Sequence, residues 1–394
     1  MPSGACARRR PCHRDPLRLP AQRDADRRRP EREQHSGRRG AASTRRPRRR
    51  RTSVTTVHTD KNDISPGPGQ SLRYGGPRLL QTAARFRVEL VIAAACVLVE
   101  LLLSTVQPAA ISSGNITNIA QTAAPLVIIA LGQLLVITTA GIDLSVGSVF
   151  SLTGIAAAAL LNHGAPTGVA VLGALGLGAL FGLFNGVCVA VLGLAPFIVT
   201  LVTYSVAASL AFVVTNGNSQ PVSSAGFGSL NSGHYLGIPN YLLYVIVLVV
   251  LLQLLLSGTT QGRWLYAVGS NERAARLIGV PVRSIKLAAY TASGLLAAFA
   301  AVLSVSYLAN AESTAGTGLE LQAIAAVVIG GASLFGGVGS AVGALTGAVL
   351  VVVIQNAVNL LGVNSFYQGT ITGLVILLAV LAERLTRRSR TRGA

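Results

Sequence analysis

The chain has 394 residues, 51% hydrophobic and only 12% charged, with 43 glycines and a formal net charge of +19. A soluble domain carries about 25% charged residues, so the composition excludes an ordinary soluble enzyme and points to an all-α, polytopic helical membrane protein. Nor does the charge signal a nucleic-acid reader, because 18 of the 33 basic residues are arginines between Arg8 and Arg51, outside the apolar body.

Residues 1–78 are rich in Arg, Pro, Gly and Ser and hold no apolar run of signal-peptide length, which predicts a disordered segment. Met1 is the only methionine, and the composition turns ordinary near Val54 and Val57. One reading places the start of translation there, with residues 1–53 not made. The other keeps a basic arm near anionic lipid. The cysteines share no metal-ligand spacing, and Cys96 and Cys188 read as small buried hydrophobes.

A helix crossing about 30 Å of hydrocarbon needs about 20 residues, and residues 79–386 divide on that ruler into about ten spans. They are Val88 to Val106, Asn118 to Ala140, Ser145 to Asn162, Gly168 to Leu194, Pro196 to Thr215, Pro239 to Leu256, Leu287 to Leu308, Gln322 to Leu334, Ala341 to Leu361 and Phe366 to Leu381. The eighth is short enough to be broken or re-entrant. Glycine and alanine crowd these segments, as expected where small residues let helix backbones approach in lipid. VGSVFSLTG at 146–154 resembles VGSAVGALTG at 338–347 with one residue inserted. Both stretches open a span in the same sense, so a repeat here is parallel.

Between Val88 and Glu383 the only lysines and arginines are Arg263, Arg273, Arg276, Arg283 and Lys286, all within the loop 258–286. Positive loops stay cytoplasmic. Arginines also flank the first span and form a basic tail at 387–394, so six spans before the loop and four after it put both termini inside. By the same alternation, the polar stretches 216–237 and 310–318 face outward. Within the loop, residues 271–279 are amphipathic at helical spacing and end at Gly279 and Pro281, predicting a short helix on the cytoplasmic surface. On charge alone this is a solvated topogenic loop.

Asp143, in AGIDLSVGS, is the only acid between Glu100 and Glu272. An intramembrane acid is a functional candidate, but Gly141, Ser145 and Gly147 around it suit a helix break that the Asp side chain caps. A proton or substrate site is the alternative. Asn185, Asn356, Asn359 and Gln368 are polar groups that either line a pathway or bond helix to helix. Glu312 and Glu320 flank an outward loop and read as solvated. No phosphate-binding Gly-Lys-Ser/Thr motif, nucleophile elbow with partners or metal cluster is present in the sequence, so no enzyme, cofactor or metal is expected.

GIDLSVGS (141–148), PFIVTL (196–201), YAVGSNERAARLIGVPV (266–282) and the run from Leu319 through NLLGVNSFYQGTITGLVILLAV resemble the membrane permease of ribose-type ABC sugar importers. The resemblance covers about residues 85–384. It implies a permease dimer in the bacterial inner membrane, a cytoplasmic ABC ATPase and an extracytoplasmic sugar-binding protein. It also implies that the basic loop contacts the ATPase through Gly269, Asn271, Ala274, Ala275, Arg276 and Gly279, the alanines being small enough for close approach. Gln322, Thr139 with Ala140, and Ala208 with Ser209 depart from the family pattern and leave the sugar open. A nucleoside, autoinducer or branched-chain amino acid on the same scaffold is the alternative cargo, and an ion-coupled carrier using Asp143 the alternative mechanism.

Overall fold

The structure, a computed structural model, describes residues 87–363 and isolated positions between 367 and 377. The segment 1–78, most of the expected tenth span, Gln368 and the tail 387–394 lie outside the described residues. In chain order the helices are α1 Arg87–Ser104, α2 Ser113–Thr138, α3 Val146–Asn162, α4 Thr167–Ala190, α5 Pro196–Thr215, α6 Ala225–Ser232, α7 Asn240–Gly258, α8 Thr260–Ser270, α9 Glu272–Leu277, α10 Val282–Leu308, α11 Leu319–Ile329 and α12 Ala341–Leu360. Four two-residue strands form two antiparallel pairs: β1 (Gln220–Pro221) with β4 (Asn310–Ala311), and β2 (His234–Tyr235) with β3 (Ile238–Pro239).

Helices α2, α4, α5, α7, α10 and α12 are long and apolar enough to cross a membrane. Two boundaries move for local reasons. Helix α2 begins five residues before the expected Asn118 because the Ser112 side chain accepts the Asn115 N–H at 3.2 Å and caps it. Helix α10 begins five residues before Leu287, at Val282, and so carries Arg283 and Lys286 in its first turns. Helix α11 has 11 residues and is about 16 Å long, about half the hydrocarbon thickness. The expected eighth span to Leu334 therefore stops at Ile329, where Gly331 turns to φ +88°.

Helices α2 and α10 form the interior. Of the most apolar stretch of α2, 78% is buried, against 22% for α4 and for α7, whose leucines and valines face outward. With lipid outside, burying apolar surface does not by itself hold such helices together, so close backbone contact must do so. A side chain at Gly294 of α10 would run into the Gly178 carbonyl of α4, and one at Gly178 into the Gly294 carbonyl. Gly330 and Gly343 stand in the same reciprocal relation between α11 and α12.

The loops sort to two ends. At one end, β1 pairs with β4, and Asn162 Nδ2 donates to the Pro221 carbonyl at 3.1 Å. At the other, the break 139–145 meets the break 330–340, where the Gly337 N–H donates to the Thr138 carbonyl at 3.1 Å. The expected alternation holds except in 310–318: this stretch leaves the first end at Asn310 and Ala311, but Gly316 packs against Gly147 near the start of α3, so it turns back into the body before α11. The two similar stretches also open helices, α3 and α12, that leave the same end, in the parallel sense expected.

The candidate coupling surface and the buried polar core

Past α7, the backbone turns at Thr259, and Gly262 in the first turn of α8 packs so closely on the end of α7 that a side chain there would collide with the Leu256 backbone. Thr259 Oγ1 accepts the Gly262 N–H at 3.1 Å and caps α8. Asn271 then separates α8 from α9, its Oδ1 accepting the Ala274 N–H at 3.0 Å. Helix α9 stops at Leu277, and Gly279 just beyond its cap takes a φ of +83° that suits a residue without a Cβ, while the Val280 N–H closes onto the Ala275 carbonyl at 3.1 Å. The short helix expected at 271–279 is present over Glu272–Leu277, capped by Asn271 and stopped ahead of Gly279.

Helix α9 is clamped to α10. Glu272 accepts from Lys286 at 2.6 Å and from Arg276 at 2.9 Å. The Lys286 hydrogen bond, ahead of the two positive charges themselves, holds the Glu272 carboxyl below its ordinary range. A depressed carboxylate stabilises the fold above its unfolded pKa and loses that contribution as pH falls through the folded value, so the clamp is intact at neutral pH.

The exposed face of α9 differs from the expected one. Ala275 is buried against its own chain, only 3% exposed, and is not available to another protein. Leu277 and Ile278, 88% and 77% exposed, project outward beside Arg273, Ala274 and Arg276. Gly269 is also internal: a side chain there would strike the Thr138 carbonyl and the Gly337 N–H. Gly269 thus joins α8 to both breaks, and Tyr266 ties it again to the second, its hydroxyl donating to the Gly339 carbonyl at 2.7 Å. Alongside lies a cavity of about 460 Å³ bordered by Tyr266, Glu89, Gln253 and Ser340.

The break after α2 is built around Asp143, which is fully buried. Its Oδ1 accepts the Ser145 N–H at 3.0 Å and the Ser145 hydroxyl at 2.6 Å, and its Oδ2 accepts the Ser293 hydroxyl of α10 at 2.9 Å. Asn185 of α4 donates to Ser145 Oγ at 2.9 Å and accepts from Thr203 of α5 at 2.6 Å. Gln133, with its amide in the orientation that satisfies both groups, brackets the Asp143 peptide, donating to its carbonyl at 3.1 Å and accepting its N–H at 3.3 Å. This network ties α2, α4, α5 and α10 to one carboxylate. Asp143 does not cap α3 as expected: the N–H it accepts belongs to Ser145, ahead of the helix, and α3 starts without a side-chain cap bond; the carboxylate instead pins the turn before α3 and bonds across to α10.

Of the other polar candidates, Asn356 pairs reciprocally with Asn115 at 2.9 and 3.1 Å, bonding helix to helix, and Asn359 is exposed. Gln368 is among the residues not described. Glu320 is buried rather than solvated, packed over Gly147, where no side chain stands in its way. Ser293, Thr203 and Gln133 escape notice in the sequence because hydroxyls and amides are common there, and Glu320 reads as solvated because acids beside loops usually are. Their role follows only from which helices adjoin.

Residues 115–380 match the family described as branched-chain amino acid transport system / permease component. The chain is 56% identical to the probable ABC transporter permease protein y4mJ of Sinorhizobium fredii over 306 residues, covering 77% of this chain and 92% of the relative. It is 43% identical to the ribose import permease RbsC of Escherichia coli, covering 72% of this chain and 89% of that one. The chain belongs to the permeases of ribose-type ABC importers. A further relative is the fructose import permease FruF of Bifidobacterium longum, 37% identical over 69% of this chain and 78% of its own. No solved structure matches this permease. The family match takes in both breaks, α8 and α9, so the permease is a multi-pass protein of the bacterial inner membrane in which the polar core and the α9 surface belong to the shared body.

Proposed function

We propose that this permease is the translocation subunit of an ATP-driven monosaccharide importer, working by alternating access in a dimer of identical or closely related chains. The observation that carries the reading is α9, a capped helix that offers Leu277 and Ile278 to a partner while its Glu272 grips α10. A cytoplasmic ABC ATPase is the partner at α9, and a sugar-binding protein docks at the opposite end. The names of the ribose and fructose relatives support a sugar as cargo. At the outer end, α6 rests on α10 through Ser306, whose hydroxyl donates to the Phe227 carbonyl at 2.7 Å and accepts the Asn231 N–H at 3.1 Å. The docking surface is therefore braced by the same helix that α9 grips.

Liposomes holding the permease with its ABC ATPase, supplied with the sugar-binding protein and labelled ribose or fructose, test this. Uptake is expected only with ATP and the binding protein both present. Uptake by the permease alone under a proton or sodium gradient would overturn the reading. Both termini are assigned to the cytoplasm and residues 216–237 to the outside. Cysteines replacing the exposed Ser223 and Ser232 are then expected to react with a membrane-impermeant maleimide added to intact cells. Reaction only after lysis would reverse the assigned orientation.

A further inference from the structure

A cavity opens between α3 and α10 at the end where β1 pairs with β4, beside the point where the 310–318 stretch starts back into the body. Its volume is about 210 Å³, room for about seven waters at about 30 Å³ each. One small ligand fits. Phe150 of α3 and Val305 of α10 are buried and form an apolar floor, while Glu312 and Ala315 stand exposed at the mouth.

The polar groups of the wall have bonding capacity unspent. Thr153 and Thr291 turn their hydroxyls back onto the carbonyl four residues earlier, as hydroxyls in helices commonly do. The Ser304 hydroxyl makes no hydrogen bond among the described residues. Asn310 Nδ2 donates to Glu312 Oε1 at 3.1 Å and so holds the carboxylate at the rim. The Asn310 amide oxygen is buried without a partner, and the second Glu312 oxygen makes no hydrogen bond among the described residues.

A carboxylate, an amide and a hydroxyl over a floor that carries an aromatic ring select one ligand class. Each hydroxyl of a sugar both donates and accepts, and the C–H faces of its ring are apolar. A hydrocarbon would strand the polar groups. An amino acid brings a carboxylate that no lysine or arginine of the cavity pairs, and Glu312 repels it.

Resting on the importer reading, which places this end outside, we infer that the cavity is an acceptor site for a monosaccharide released by the binding protein. Glu312 accepts hydroxyls of the sugar, Ser304 bonds another, Asn310 steadies the carboxylate, and the ring lies on Phe150. A site on a transport path must also let go, so its affinity is millimolar.

Binding of labelled ribose and of labelled fructose to the full-length permease in lipid nanodiscs, without the binding protein, tests this. Saturable binding of at least one sugar is expected. Glu312→Gln is expected to weaken it by about tenfold, because hydrogen bonds to a charged group are about twice as strong as neutral ones. The amide oxygen still accepts from Asn310, so the fold is kept. Ala315→Trp, which covers the mouth, is expected to abolish binding, and Ser304→Ala, expected to weaken it several-fold, takes its place if the tryptophan variant does not fold. No saturable binding of either sugar to wild type, or wild-type affinity in Glu312→Gln, would overturn the inference and reduce the cavity to a water-filled gap. ATP-driven uptake by the same wild-type permease, with ATPase and binding protein, is scored separately. Uptake without binding would overturn this inference and leave the importer reading standing. Binding without uptake would overturn the importer reading, and the acceptor role with it.

Discussion

Replacing Leu277 and Ile278 together by aspartate is expected to yield a permease that inserts and folds normally, loses its ATPase and transports nothing. Both side chains are almost fully exposed, so the permease alone gains little from them. Burying a leucine or isoleucine at an interface contributes about 1.5–3 kcal/mol. Losing two such contacts weakens association by more than about 100-fold, before the cost of burying new charge. The folding of α9 is insulated from the change, because the Asn271 cap and the Glu272 clamp lie at the other end of the helix. Co-purification with the ATPase measures the outcome, and capture at wild-type levels would make the loop topogenic only. Ala275→Trp is a poorer probe than composition suggests, since Ala275 is buried and a bulky residue there would unseat α9 itself. Charge reversal at Arg276 is expected to give a mild, salt-dependent defect, as exposed ion pairs contribute about 0–1 kcal/mol.

What could be read in the sequence follows the range of the interaction concerned. Spans, their alternation and the α9 helix depend on local composition, on caps and on charge bias, and all leave marks within a few residues. Asn271, Gly279 and Pro281 bracket α9 in the sequence as they do in the structure. Helix α8 was not legible, because WLYAVG reads as apolar continuation, and only the extended backbone at Thr259, with Gly262 packed on the end of α7, shows that a new helix has begun. The inward face of Ala275 was hidden for a similar reason: alanine fits both a docking surface and a tight internal contact, and only the neighbouring Val280 turn decides between them. Asp143 stood out as a lone acid, yet its partner Ser293 and the groups that extend the network through Ser145, Asn185 and Thr203, come from three other helices. No periodicity within one helix predicts which serine on another will face it.

The Asp143 core carries the last prediction, which separates structure from charge. Asp143→Asn is expected to keep at least half of wild-type uptake. The remaining oxygen can still accept from the Ser145 N–H and hydroxyl, and the Ser293 hydroxyl can turn to accept from the new amide. Asp143→Leu leaves those three donors buried without an acceptor. Each unsatisfied donor costs about 1–3 kcal/mol, so the sum takes up much of the roughly 5–15 kcal/mol that keeps a domain folded. Little folded permease is expected from that variant, as detergent extraction and size-exclusion chromatography would show. Ion coupling predicts a different pattern: Asp143→Asn would fold at wild-type yield and transport nothing, since the amide preserves the hydrogen bonds and removes only the titratable proton. The comparison of yield with uptake in the Asn variant therefore decides whether the carboxylate serves to join α2, α4, α5 and α10 or to carry charge.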